Sequence, residues 1–148
     1  MAQIFSLARL YFVLLAIFAV GRWLMGTSGV PYDRGTAVFS LVLLTLLGSF
    51  FYAAFGRRLW GLRLPRALAL VATLALCTQA VIIVATLLSY GLGLETYFNH
   101  PRALNSPEPL ALGPALGIRL GGAVGNTLFA VIAGALGWAL GALLPEKS

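Results

Sequence analysis

The stretch ALALVATLALCTQAVIIVATLLSY, from Ala67 to Tyr90, is 24 residues long and carries no charged side chain. About 20 apolar residues coiled as a helix cross the hydrocarbon layer of a bilayer. Lipid offers no partner to an unpaired backbone N–H or C=O, so a spanning segment must be a helix or part of a closed barrel. The stretch lacks the alternating pattern of a barrel strand, and it therefore predicts a transmembrane helix. Three further runs meet the same length rule: Leu7 to Met25, Thr36 to Gly56 and Arg119 to Leu144. The expected architecture is an all-α integral membrane protein. It is one domain over residues 1–148, a four-helix transmembrane bundle with helices at roughly 7–25, 36–56, 67–90 and 119–144.

Composition points the same way. The chain is 60% hydrophobic and 9% charged, where a soluble domain carries about 25% charged residues. A water-facing surface could not be covered with so few charges. The net charge is +6, but the bases flank the apolar runs, so topology and lipid headgroups explain them and no nucleic-acid partner is expected. Cys77 is the single cysteine, which excludes an intrachain disulfide and a thiolate metal cluster.

The gaps between runs set the orientation. Arg57, Arg58, Arg63 and Arg66 fall within ten residues and with no acid among them. The positive-inside rule places that loop in the cytoplasm, with both termini on the same side, and predicts a bacterial inner (plasma) membrane. Trp23 and Tyr32 are expected at the outer interface, and Tyr11, Trp60 and Trp138 near the inner one. The first run has features of a signal peptide and is read as a retained helix. Asp33 and Arg34 read as a local pair in a turn, and Thr36 or Asp33 as the cap of the second helix. The gap at 91–118 is long and holds Pro101, Pro107, Pro109 and Pro114. Such a connection is expected to fold onto the protein as an ordered outer loop.

Within the runs, small residues mark helix packing. Gly117, Gly121, Gly125, Ala133, Gly137 and Gly141 recur at multiples of four. This small-xxx-small pattern allows close backbone approach, either within the chain or to another subunit. Thr45, Gly48, Ser49, Tyr52 and Gly56 share one face of the second helix, and Gln79, Ile83, Thr86 and Tyr90 a stripe of the third. Gln79 and Asn126 are intramembrane polar groups that need partners inside protein. They read as interhelical hydrogen bonders, or alternatively as lining a water path. Arg9, Arg22 and Arg119 lie near helix ends, where they can snorkel to headgroups.

Catalytic patterns are missing: no phosphate-binding loop, dinucleotide fingerprint or nucleophile elbow is visible. His100 is the only histidine, and the chain offers no four-ligand metal set. No catalytic, cofactor-binding or metal residue is expected. The expected function is a non-catalytic accessory or scaffolding subunit of a larger inner-membrane complex, of the respiratory or photosynthetic kind. Tyr97, His100 and Arg102 would form its docking surface, and the lipid bilayer and other membrane subunits its partners. The alternatives are a small homo-oligomeric channel or carrier lined by Gln79, Thr86, Thr45 and Ser49, and a membrane-embedded protein with a bound lipid or pigment.

Overall fold

The structure is a computed structural model and describes residues 8–143. Leu7, Leu144, Glu146 and Lys147, which bound the first and last runs or count among the tail charges, lie outside the described residues. Four long helices organise the rest: α1 (Arg9–Thr27), α2 (Leu41–Trp60), α3 (Leu64–Gly91) and α4 (Leu112–Leu140). A 3-10 turn, Gly141–Leu143, prolongs α4, a single helical turn (Tyr32–Gly35) lies between α1 and α2, and a 3-10 turn (Pro101–Leu104) lies between α3 and α4. There is no strand among the described residues. All four helices are long and apolar enough to cross a membrane. Their apolar faces are turned outward as well as inward, with Leu10, Val20, Leu120, Val124 and Phe129 each more than half exposed.

Chain reversals are built from local chemistry. At the ends of α1 and α3 the backbone turns left-handed at Gly29 (φ +73°) and Gly93 (φ +62°). The following N–H groups reach back to carbonyls five residues earlier, Val30 to Met25 at 3.1 Å and Leu94 to Ser89 at 2.9 Å. These are Schellman turns, in which glycine avoids the Cβ penalty. Pro65 sits in the first turn of α3, where its missing N–H has no partner to lose.

Two boundaries depart from the sequence expectation. The second helix begins at Leu41 rather than near Thr36, and its cap is the Ser40 hydroxyl, which accepts from the Leu43 N–H at 3.3 Å. The cause is Phe39. Its backbone is left-handed (φ +51°), a state that costs a non-glycine residue about 1 kcal/mol or more. Its ring lies edge-on to Phe18 at 5.5 Å. The fourth helix begins at Leu112 rather than Arg119, with Pro114 in its first turn, so the connecting loop is 92–111 and not 91–118.

Helices α2, α3 and α4 pack closely on one another, while α1 lies more loosely against α2 and α3. The two halves of the core differ in grain. Tyr11, Leu15, Leu41, Leu70, Leu74, Ile82 and Phe98 fill one cluster. Ala53, Ala67, Val71, Ala75 and Ala130 fill the other. Lipid tails are as apolar as leucine, so close van der Waals contact holds such helices together, and small side chains shorten the distance. Tyr11, expected at the inner interface, is instead 1% exposed within the first cluster. Its hydroxyl meets Thr45 and Thr78, and its ring lies against the backbone of Gly48.

Candidate functional site

The loop 92–111 folds back into the end of the bundle as a cap. Thr96, Tyr97, Phe98 and Leu104 are each at most 3% exposed. Asn99 shapes its entry: Oδ1 accepts from the Thr96 N–H at 2.8 Å and Nδ2 donates to the Leu94 carbonyl at 2.9 Å. The Thr96 hydroxyl bonds Ser89 on α3 at 2.7 Å. Tyr97 donates to the Val30 carbonyl at 2.8 Å and approaches that of Pro31 at 3.1 Å, so it ties the cap to the segment between α1 and α2. The expectation that Tyr97 is presented to a partner is thereby corrected: its ring is consumed by the fold. His100 stacks on Tyr32 at 4.6 Å, and its Nδ1 accepts from the Arg102 N–H at 3.3 Å. Arg102 is exposed and pairs with Asp33. The ion partner of Asp33 is thus across the cap, not its neighbour Arg34.

Beneath the cap, Arg119 of α4 points inward. Its Nη2 donates to the Phe98 carbonyl at 2.6 Å and its Nη1 to that of Ala103 at 3.3 Å. Its Nε is buried with no hydrogen-bond partner. From α1, Arg22 reaches the Thr36 carbonyl at 3.3 Å and stands 5.4 Å from the centre of the Tyr97 ring. Both arginines line a cavity of about 130 Å³, together with Tyr32 and the start of α2 from Ser40 to Val42. The cavity reaches Ile82 on α3. That residue lies nine positions below the helix end (91 − 82), about 13 Å at 1.5 Å per residue. The void exists because α2 starts late: no helix fills the space above Leu41. Arg22 and Arg119 were expected only to snorkel. The signal that separates Arg119 is angular, since it precedes the buried Ala130 by eleven residues, three helical turns, and so shares its inward face.

The small residues of α4 divide into two groups. A Cβ added at Gly137 or Gly141 would strike the backbone carbonyl of Phe50 or Ala54 on α2, and one at Gly134 would lie 2.7 Å from Val71 on α3. A Cβ at Gly117, Gly121 or Gly125 would meet nothing within 4 Å. Steps of four residues advance about 400° around a helix of 3.6 residues per turn, a drift of about 40° each. Six steps from Gly117 to Gly141 therefore wind through about 240°. The pattern starts on the open side and ends against α2, so only its far half packs within the chain. Gly134, one residue beyond Ala133, takes the expected place of Ala133.

Gln79 is 4% exposed and shares the α4-facing side of α3 with Ala75. Val71 opposite Gly134 sets an antiparallel register, and eight residues further along each helix stand Gln79 (71 + 8) and Asn126 (134 − 8). The two amides thus lie at one depth, with no hydrogen bond between them. Thr45 and Thr86 donate to their own helix carbonyls at Leu41 and Ile82, at 2.7 and 2.8 Å, while the buried Ser49 hydroxyl has no partner. At the opposite end, the Arg57 guanidinium lies 4.0 Å above the Trp138 ring. The Trp138 indole donates to the Leu62 carbonyl at 2.8 Å. Arg63 and Arg66 are exposed there, and Arg58 is half-buried.

No group of three or more His, Cys, Asp or Glu placed to hold a metal occurs among the described residues. In comparisons with known proteins, no family model, curated protein or solved structure matches the chain.

Proposed function

We propose that this protein is a non-catalytic accessory subunit of a larger assembly in a bacterial inner membrane, of the energy-transducing kind, with the Arg57–Arg66 loop and both termini in the cytoplasm. One observation carries the reading. The ridge Gly113, Gly117, Gly121 and Gly125 leaves α4 bare along one side, with nothing near any of the four glycines. Glycine weakens a helix by about 1 kcal/mol relative to alanine, and a second helix laid on such a ridge offsets that cost through close contact. Gly137 and Gly141 of the same helix already hold α2 in this manner. The neighbour is read as a transmembrane helix of another subunit.

The test is the mass of the particle released by mild detergent. The protein alone weighs 15.7 kDa. The reading expects a heavier particle containing other membrane subunits, which disperses on Gly121→Leu while the variant chain stays folded. A monomer in native membranes by single-molecule photobleaching, with no other subunit retained, overturns it.

A second reading, a protein holding a lipid or pigment, is favoured by a groove of about 440 Å³ between α1 and α3. Trp23, Leu24, Val84 and Leu88 line it, and an acyl chain or ring matches that surface. Extraction followed by mass analysis of retained small molecules tests it.

A further inference from the structure

We propose that the cavity under the cap is a binding site for a phosphate group, held by Arg22, Arg119 and the N-terminus of α2. The chemistry of its wall is one-sided. Two arginines line it, and like charges brought to one cavity repel one another. No carboxylate lines it. The nearest acid in sequence, Asp33, is engaged by Arg102 at the exposed surface. Two partly buried cations without a counter-charge are costly, and an anion between them removes that cost.

The donors are also in place. A guanidinium has five N–H groups. Arg119 commits one Nη2 hydrogen to Phe98 and one Nη1 hydrogen to Ala103, which fix its plane, and keeps the second hydrogen on each of these nitrogens for a ligand, its buried Nε–H being closed off. A helix leaves its first N–H groups unsatisfied. In α2 the Leu43 N–H goes to the Ser40 hydroxyl and that of Leu44 to the Ser40 carbonyl. The N–H groups of Leu41 and Val42 have no partner among the described residues, and both residues line the cavity. They add the positive end of a 20-residue helix dipole to the two arginines. This is the arrangement that favours phosphate at helix N-termini, and arginine forks match phosphate oxygens in pairs.

Size agrees. One water needs about 10–15 Å³ of such space, so about 130 Å³ admits a tetrahedral oxyanion. The phosphate can belong to a lipid headgroup or be free in solution, since both present the same oxygens. The cavity adjoins Val42, an exposed residue of α2, which leaves room for a glycerol and acyl chains to trail outward along the bundle.

The experiment uses the full chain in neutral detergent with three probes. These are dioleoylphosphatidylglycerol, the matching dioleoylglycerol without phosphate, and inorganic phosphate, with lipid retention read by native mass spectrometry and phosphate binding by calorimetry. The phosphate-bearing lipid or inorganic phosphate is expected to bind at one site. Loss of a charged hydrogen bond weakens binding about tenfold or more, so Arg22→Gln should do so. Arg22→Lys should retain more affinity than Arg22→Gln, and Arg102→Gln, outside the cavity, should bind as the parent does. Val42→Phe, which narrows the mouth and leaves every charge in place, separates loss of the site from loss of fold. Lipid binding alone identifies a headgroup as the source, and inorganic phosphate binding alone a soluble anion. Equal retention of dioleoylglycerol, failure of both phosphate probes, or unchanged affinity in a folded Arg22→Gln overturns the proposal.

Discussion

The Tyr11 hydroxyl lies 2.7 Å from the Thr78 hydroxyl, and this bond joins α1 to the middle of α3. Thr45 of α2 is 3.0 Å away on the other side, so one phenol ties three helices. The phenol has one hydrogen to donate: Thr45, whose own hydrogen goes to the Leu41 carbonyl at 2.7 Å, can accept it, while Thr78, whose contact with its Leu74 carbonyl is longer at 3.1 Å, can turn its hydrogen to the phenol oxygen. Hydrogen bonds between helices in lipid contribute about 0.6 kcal/mol on average and up to about 1.7. Tyr11→Phe is therefore expected to cost about 1 kcal/mol in reversible unfolding from mixed micelles. Tyr11→Ala also empties the space beside Gly48 and should cost roughly 3–5 kcal/mol. Equal stability of the phenylalanine variant and the parent would show the bond to be idle.

The two ends of the α4 glycine pattern predict opposite responses to one added methyl. In Gly137→Ala the new carbon meets the Phe50 carbonyl on α2, and rigid backbone cannot step aside. Overpacking of this kind costs about 1–3 kcal/mol. Gly121→Ala meets open space and gains helix propensity, so the isolated chain should be unchanged or more stable by up to about 1 kcal/mol. Thermal melts of the two variants in dispersing detergent decide it. A destabilised Gly121→Ala monomer would contradict the register of α4.

What could be read from the chain, and what could not, follows from which forces a linear pattern reports. The span of α3 was legible to within three residues, because 24 uncharged residues leave only one solvent. The late start of α2 was not, since Thr36 to Ser40 are apolar enough for a helix and hydropathy is blind to the left-handed backbone of Phe39. Spacing by four marks the small residues of α4 as packing residues, but about 40° of drift per step carries them around the helix, so the pattern alone does not say which of them meet a neighbour within the chain. The cap was foreseen as ordered, yet the inward burial of Tyr97 and Phe98 depends on the void above α2. Arg22 and Arg119 meet only because that void exists. No local signal announces a space made by the absence of a turn of helix.

The cap has two fastenings of unequal strength. Arg102 and Asp33 are both more than 60% exposed, and a surface ion pair contributes about 0–1 kcal/mol. Tyr97 is buried and bonds to the carbonyls of the segment between α1 and α2. Asp33→Asn should therefore cost under about 1 kcal/mol, and less as salt rises. Tyr97→Phe should cost about 1–2 kcal/mol by leaving buried acceptors unpaired, with little response to salt. Hydrogen exchange of the cap amides in the two variants measures this directly. A larger, salt-sensitive effect from Asp33→Asn would reverse the ranking.

Orientation in the membrane has its own test, because the charge asymmetry is concentrated at one end. Arg57, Arg58, Arg63 and Arg66 lie around the turn at Gly61 with no acid among them, while the cap end sets Arg22, Arg34, Arg102 and Arg119 against Asp33, Glu95 and Glu108. Moving that cluster across an energised bilayer opposes the potential, by about 2.3 kcal/mol per charge at 100 mV. The cluster is therefore expected in the cytoplasm. With Cys77→Ala as background, a cysteine at Gly61 should react with a membrane-impermeant maleimide only in inside-out vesicles. One at Ser106 in the cap should react only in intact spheroplasts. Gly61 has a left-handed backbone (φ +59°), so a neighbouring position such as Arg63→Cys serves as a second probe free of that strain. Labelling of the basic turn from outside would invert the topology, and would make the four arginines a surface for the exterior instead of a cytoplasmic anchor.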